Sequence, residues 1–178
     1  ETSPGGRAGA SHTGFLMTTK PTTPRRILLV CIGNRVRSPL AQGFLRAELD
    51  SAGLNHVLVD SAGTNVWPGG EAPEREAIFE AARAGIPIEH LRSRELTASD
   101  FDSHDQVLAM DWDSHALAEA MAPVEHRHKV GHLAHFARRE KVTTIPDPSA
   151  AGYDRTLACI QDACEGWVVN HLVRRPTR

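Results

Sequence analysis

The chain has 178 residues, of which 40% are hydrophobic and 24% charged, and a formal net charge of -2. That is enough apolar material for one globular domain with a sizeable core. The near-neutral balance leaves no general basic field of the kind that nucleic acid or an acidic membrane surface demands. No apolar run approaches the ~20 residues of a spanning helix, and the first residues lack the apolar stretch of a secretory signal, so the chain reads as cytoplasmic. Cys31, Cys159 and Cys164 form neither an even framework nor a C-x-x-C pair. This is the cysteine usage of a reducing compartment, where a thiol can serve as a reagent.

Residues 1–24 are rich in Gly, Ser, Thr and Pro without periodicity. They read as a disordered leader or an added extension, with Met17 as a native start, ahead of one domain over 25–178. Order is expected from Arg26-Ile-Leu-Leu-Val-Cys31, a continuous apolar run suited to a strand buried on both faces. Gly33 and Asn34 make a turn, and Ser38-Pro39 then opens a periodic stretch through Leu40, Phe44, Leu45 and Leu49. Ser38 as N-cap and Pro39 at the first helical position predict a helix start. His56 to Asp60 predicts a second strand, leading into Ser61-Ala62-Gly63-Thr64. Pro73 to Ala84 predicts a helix stopped by Gly85. Gln106 to Met110 predicts a further strand, with a helix over about 113–121 after it. Met110-Asp111 closes that strand and caps that helix. A His-rich irregular region follows, then a short helix over Leu133 to Arg138, a loop at Asp147-Pro148-Ser149, and a long helix from about Tyr153 to Leu172. Strands alternating with helices imply parallel crossovers and an α/β fold.

The segment Cys31-Ile32-Gly33-Asn34-Arg35-Val36-Arg37-Ser38 carries the chemistry. It sets a cysteine at a strand end and an arginine at a helix mouth, with five residues between. A loop curled there aims backbone N–H groups inward, and the helix adds the positive end of its dipole. Such a cradle accepts a phosphate dianion and favours a thiolate on Cys31. Arg37 offers a planar fork that matches two phosphoryl oxygens. Gly33 admits close backbone approach, Asn34 tolerates a left-handed conformation, and the Ser38 hydroxyl can donate to the Cys31 sulfur as well as cap the helix. A leaving alkoxide or phenoxide needs a proton, and Asp147, stiffened between Pro146 and Pro148, is the candidate acid.

Val30-Cys31-x-Gly33-Asn34-x-x-Arg37-Ser38-Pro39 together with Asp147-Pro148 resembles the low-molecular-weight protein tyrosine phosphatase family. Further ordered matches are Asp60 to Thr64 with Trp67, Gly85-Ile86, His90, Ser93 to Leu96, Asp100-Phe101 and Met110-Asp111. The resemblance implies a three-layer α/β/α sandwich with a four-stranded parallel sheet and a phosphate-binding loop after the first strand. It implies a hydrolase acting on tyrosine-phosphorylated protein without cofactor or metal, with Cys31 as nucleophile, Arg37 as phosphate binder and Asp147 as general acid. Ile32, Gly33, Asn34, Arg35, Val36, Ser38, Ser61 and His90 are then the phosphate-binding loop and its support, and Trp67 and Ser149 the substrate pocket.

The chain departs from the family pattern at four places. Val36 replaces the family's second loop cysteine, so an oxidised Cys31 has no neighbouring thiol with which to form a protective disulfide. Ser149 and Ala150 replace the aromatic after Asp-Pro, which thins the wall for a phosphotyrosine ring. Arg35 puts a cation at a pocket-floor position usually held by Ile or Thr, and His90 stands one residue further than usual from Ser93-Arg94. Other readings on the same fold are arsenate reduction, for which only Cys159 and Cys164 offer relay thiols, and protein-arginine phosphatase activity, which Arg35 disfavours electrostatically. A non-catalytic phosphate or phosphopeptide module is the remaining alternative. His126, His128, His132 and His135 read as a solvated or core-satisfied cluster rather than a metal site, and Arg92 to Asp105 as an exposed face. Oligomeric state is not readable from the sequence, and nothing in it requires more than a monomer.

Overall fold

The computed structural model describes residues 24–172. The leader expected over 1–24 thus lies, apart from Pro24, outside the described residues. Strand β1 (Arg26–Cys31) exposes only Arg26. Its side chains alternate between two apolar layers: Ile27, Leu29 and Cys31 face one, Leu28 and Val30 the other. An uninterrupted apolar strand is what two buried faces require.

The sheet adds β2 (Leu58–Gly63), β3 (Gln106–Ala109) and β4 (Val130–His132) in the order β2-β1-β3-β4, all parallel. Cys31 stands beside Gly63, and Val30 beside Ala109. The chain leaves β1 for one side and returns on the other, so the carboxyl ends of β1 and β3 border a crevice at the topological switch point. Helices α1 (Arg37–Ser51) and α6 (Tyr153–Leu172) cover one face through Leu40, Phe44, Leu45, Ile160, Cys164 and Trp167. The other face is covered by α3 (Ala98–Ser103) and α4 (Trp112–Met121) through Phe101, Ala118 and Ala122. Helix α2 (Arg75–Arg83) adds Ala77 and Ala81 to the first layer, and α5 (Pro148–Ala151) is a single turn ahead of α6. The result is the three-layer α/β/α arrangement. No helix among the described residues is long and apolar enough to cross a membrane.

Several details differ from the sequence reading. Helix α1 begins at Arg37, with Val36 at the cap and no side-chain cap bond. Ser38 is therefore not the N-cap but the second helical residue, fully buried, with its hydroxyl turned to the site. Pro39 is still in the first turn, where no N–H is missed. Strand β2 starts two residues later than expected and includes Ser61-Ala62-Gly63. The fourth strand is only three residues with Gly131 at its centre, too short and too glycine-weakened to show a period.

Arg92 to Asp105 is not an exposed face throughout. Arg94 pairs with Asp60 at 2.7 Å and Asp100 at 2.9 Å, Asp100 closes a capping box with Thr97, and Phe101 is core. Opposing charges satisfied by one another read as a surface pattern from sequence alone. On the other side, Asp162 of α6 is buried and accepts the N–H groups of Arg138, Arg139 and Glu140 at 2.9, 2.7 and 2.7 Å. It thereby folds the long segment that leads to Asp147. A Cβ on Gly166 would stand 1.8 Å from the Phe136 carbonyl, so only glycine lets α6 lie against that segment.

The histidine cluster is neither solvated nor satisfied at its centre. His132 is 2% exposed, stacked on His115 at 4.3 Å and edge-on to Trp112 at 4.3 Å, and neither ring nitrogen has a partner. Burial first, then the neighbouring His115 and His135, lower its pKa to about 4 from the ordinary 6.5, against an opposing pull from Asp111. The unfolded chain therefore binds a proton that the folded chain refuses between these values. Stability is expected to fall by about 3 kcal/mol as pH drops from about 6.5 to about 4. Urea titrations across that window should show this slope and a flatter one in His132→Leu; equal slopes would remove the assignment.

Candidate active site

The loop after β1 closes on its own first residue. The Cys31 Sγ lies 3.0 Å from the Ser38 hydroxyl and accepts the Asn34 N–H at 3.3 Å. Asn34 makes this possible by adopting φ 51°, a left-handed conformation that asparagine tolerates better than most residues. Its side chain then ties three elements together. The Arg94 N–H donates to Oδ1 at 2.9 Å, and Nδ2 donates to both Ser38 and Ser61 at 2.9 Å. A backbone N–H can only donate, so the amide orientation is fixed and Nδ2 must face the serines. Ser38 accepts from Asn34, and its own proton has the sulfur at 3.0 Å and the Ala62 carbonyl at 3.5 Å as partners. Ser61 accepts likewise and donates to Gln42 at 2.7 Å. Two hydrogen-bonding groups, the Ser38 hydroxyl and the Asn34 N–H, thus converge on Sγ.

The same loop is the mouth of α1. With no side-chain cap and no acidic residue in the first turn, the helix presents its unpaired N–H groups and positive dipole end beside Cys31. Arg37 opens that turn and is nearly buried. Its guanidinium is held by Asp111 at 2.7 Å, by the Ile145 carbonyl at 3.2 Å and by Asp147 at 3.5 Å. The crevice at the ends of β1 and β3 therefore gathers a cysteine with two donors, an uncapped helix start, an arginine fork and two carboxylates.

A family model described as low molecular weight phosphotyrosine protein phosphatase matches residues 26–176. The chain belongs to that family. A low molecular weight protein-tyrosine-phosphatase of Synechocystis is 33% identical over 144 residues, 78% of this chain and 91% of the relative. The low molecular weight phosphotyrosine protein phosphatase of Schizosaccharomyces pombe is 33% identical over 131 residues, 72% and 83%. Among solved structures, a protein tyrosine phosphatase from Entamoeba histolytica aligns with a TM-score of 0.79 at 26% identity, over 85% of this chain and 99% of that one. The protein is thus an enzyme of the low molecular weight phosphatase type, a hydrolase.

Within this phosphatase, Asp147 is half exposed. It caps α5, and its Oδ1 accepts both the Ser149 N–H at 2.9 Å and the Ser149 hydroxyl at 2.6 Å. Burial raises its proton affinity, but these two bonds and the Arg37 guanidinium outweigh burial and the Asp111 charge, leaving it below the ordinary carboxylate range. Asp111 is lowered in the same way: burial is outweighed by the Ser114 hydroxyl and N–H and by Arg37. Its Oδ1 caps α4 as the sequence suggests, while Oδ2 holds Arg37, a contact that sequence reasoning did not foresee.

Other expected site residues are placed differently. His90 is exposed in a groove with Arg46, Ile86 and Leu91, away from the loop. The support expected from it comes instead from the Arg94 N–H. Trp67 is 93% exposed. Arg35 does not face the pocket floor: its Nε donates to the Ala72 carbonyl at 3.0 Å, and its own carbonyl accepts the Glu74 N–H. Ile32 anchors the loop to the next segment through its carbonyl and the Asn65 N–H at 3.0 Å, and Val36 lines a groove shared with Asp147 and Tyr153. Cys159 and Cys164 are buried in the α1–α6 core, and burial raises both thiols above their ordinary range.

At Gly33 a Cβ would meet nothing within 4 Å, whereas at Gly63 it would lie 2.5 Å from the Ile32 carbonyl and 3.0 Å from the Asn34 nitrogen. The glycine that the loop requires as a neighbour is on β2. Gly63→Ala should push the loop off its geometry and cost on the order of 100-fold in kcat/KM on an aryl phosphate while the fold persists. Kinetics beside a thermal melt check this, and near-native turnover would contradict the contact.

Proposed function

We propose that this phosphatase hydrolyses phosphotyrosine in proteins through a phosphocysteine intermediate, with Asp147 as proton donor and then acceptor. The reading rests on one observation above all: the Cys31 sulfur receives two hydrogen bonds at an uncapped helix start, with Arg37 and Asp147 on the facing side of the same crevice. A stabilised thiolate beside an anion cradle is a nucleophile aimed at a bound phosphoryl group.

In the resting site Arg37 faces two carboxylates. A phosphate dianion entering the loop competes with Asp147 for the guanidinium fork, while Asp111 on Nη1 keeps the fork in plane. Asp147 then loses its cation and gains a doubly negative neighbour, which raises its proton affinity and lets it carry the proton that the first step consumes. The Cys31 thiolate attacks phosphorus, the P–O bond to the phenol breaks, and the Asp147 proton passes to the leaving oxygen. In the second step Asp147, now a carboxylate, takes a proton from water as the water oxygen attacks phosphorus. The P–S bond breaks, returning the thiolate and releasing phosphate. Arg37 and the loop N–H groups carry the charge on the equatorial oxygens throughout.

Cys31→Ser should abolish turnover of an aryl phosphate yet retain phosphate binding, because the N–H cradle and Arg37 are untouched. Turnover at the native rate would refute the nucleophile. Asp147→Ala should slow hydrolysis by about 10²- to 10⁴-fold for phenols that leave poorly, and by much less for 4-nitrophenol. A slope of log kcat/KM, which reports the phenol-releasing step alone, against leaving-group pKa that stays flat in the variant would count against Asp147 as acid.

A further inference from the structure

Ser149 converts the short turn after Asp147 into a clamp. Two donors from one residue, its N–H at 2.9 Å and its hydroxyl at 2.6 Å, both land on Oδ1, while Oδ2 faces Arg37 at 3.5 Å. The N–H bond is the ordinary bond of an aspartate that begins a turn, and any residue at 149 would supply it. The hydroxyl bond is particular to this side chain, and it is a short O–H to carboxylate contact of the stronger, charge-assisted kind.

We propose that Ser149 is a positioning residue for the general acid: its hydroxyl occupies Oδ1, confines proton exchange with substrate and water to Oδ2, and biases Asp147 toward the carboxylate that the second step uses. The proposal rests on the reading of Asp147 as acid and base given above. A carboxyl whose one oxygen is filled by two donors has a single oxygen left to carry the proton, and that oxygen is the one beside Arg37, where the phosphoryl group is expected. The side-chain hydroxyl also lowers proton affinity, as it donates to the ionised form and gains less from the neutral one.

Other charges bear on the same carboxyl and have to be kept constant in any comparison. Arg37 of α1 lowers its proton affinity and Asp111 before α4 raises it. Glu74 and Glu76 at the start of α2 and Tyr153 and Asp154 of α6 line the groove that Asp147 borders, with Cys31 across the loop. Tyr153 is pushed up to about 12 by burial and by these acids, so it stays neutral over the working range. Ser149 is exposed and its hydroxyl bonds Asp147, so Ser149→Ala removes one bond without disturbing the core.

The two half-reactions pull in opposite directions. The first needs Asp147 protonated and the second needs it ionised, so the hydroxyl trades activity on the alkaline side for a better base after the phosphocysteine forms. Ser149→Ala should therefore move the alkaline limb of kcat/KM to higher pH and, on that limb, raise kcat/KM severalfold for a phenyl phosphate with a poor leaving group. The gain should be smaller for 4-nitrophenyl phosphate, which needs little protonation. Ser149→Thr, which keeps the hydroxyl, should restore the native profile.

A second measurement does not need turnover. The carboxyl carbon of Asp147, followed by 13C NMR in the Cys31→Ser protein, should titrate at higher pH when Ser149 is also Ala and at the native position when it is Thr. An unchanged titration in the alanine variant, or a threonine variant that behaves as alanine does, overturns the clamp. A shifted titration in a protein whose Cys31 form hydrolyses no aryl phosphate supports the clamp on Asp147 while rejecting the proposed reaction, so the two failures are separable.

Discussion

The orientation of one amide governs this site. Asn34 Oδ1 faces the Arg94 N–H, and that single bond decides that Nδ2 points to Ser38 and Ser61. Were the amide reversed, Ser38 would have to donate to Asn34 and would have no proton for the Cys31 sulfur. The Arg94 backbone is in turn held in place by its own side chain, which lies between Asp60 of β2 and Asp100 of α3. Burial of Asp100 raises its proton affinity, but the bonds from Arg94 and Thr97 lower it further, so the pair stays ionised. A charge pair some way from the sulfur therefore fixes the direction of the hydrogen bonds that end on it. Removing either carboxylate would leave a partly buried guanidinium short of a partner, which is more damaging than replacing the whole pair.

The sheet supplies the rest of the precision. Parallel pairing puts Cys31 level with Gly63 and carries β3 alongside to deliver Asp111 one residue past Met110. Because Asp111 spends one oxygen on capping α4 and the other on Arg37, the position of a whole helix is coupled to the aim of the phosphate fork. Asp162 does the same for the acid loop from the opposite layer, holding three successive N–H groups of the segment that ends in Asp147. Arg37 at the mouth of α1 and the loop that carries Asp147 are each tied by a carboxylate, Asp111 or Asp162, to a helix packed on the core.

Much of this was legible in the sequence because it is local. An apolar strand, a turn with asparagine, and a serine and proline opening a helix are contiguous, and together they place Cys31 and Arg37 with no tertiary information. The long periodic stretches gave α1, α2, α4 and α6 but not α3, whose six residues read as part of a charged face, and the alternation of helices with strands gave a parallel sheet. What stayed hidden depends on through-space neighbours. Arg94 and Asp100 look like surface charges until β2 brings Asp60 beside them. Gly63 looks like a turn residue until the β1 loop lies against it. Asp111 reads correctly as a helix cap, but its second oxygen has no sequence signature. His90 was given to the loop by its place in the chain, whereas the backbone of Arg94 occupies that role and His90 faces the solvent-exposed groove beside α1. Strand β4, three residues with a glycine between two others, has no period to detect.

Charge balance explains why a phosphatase site can rest with its arginine already engaged. Asp111 and Asp147 place two negative charges around one guanidinium, the attacking sulfur of the proposed reaction adds a third, and a phosphate dianion would add two more. Coulomb repulsion of that size is not tolerable at the low effective dielectric of a crevice unless something yields. The loop N–H groups and the helix dipole offset part of it, and they cannot change state. Asp111 is held to its cap and to Arg37, and the Cys31 sulfur is committed to the attack in the proposed reaction. Asp147, half exposed and on a one-turn helix, is the group left free to take a proton or turn away. Substrate binding and proton uptake by Asp147 are then one linked event in the proposed reaction, and the acid is loaded because the dianion arrives. In the same proposal the Ser149 hydroxyl sets how readily that loading occurs, through its bond to Oδ1 of Asp147.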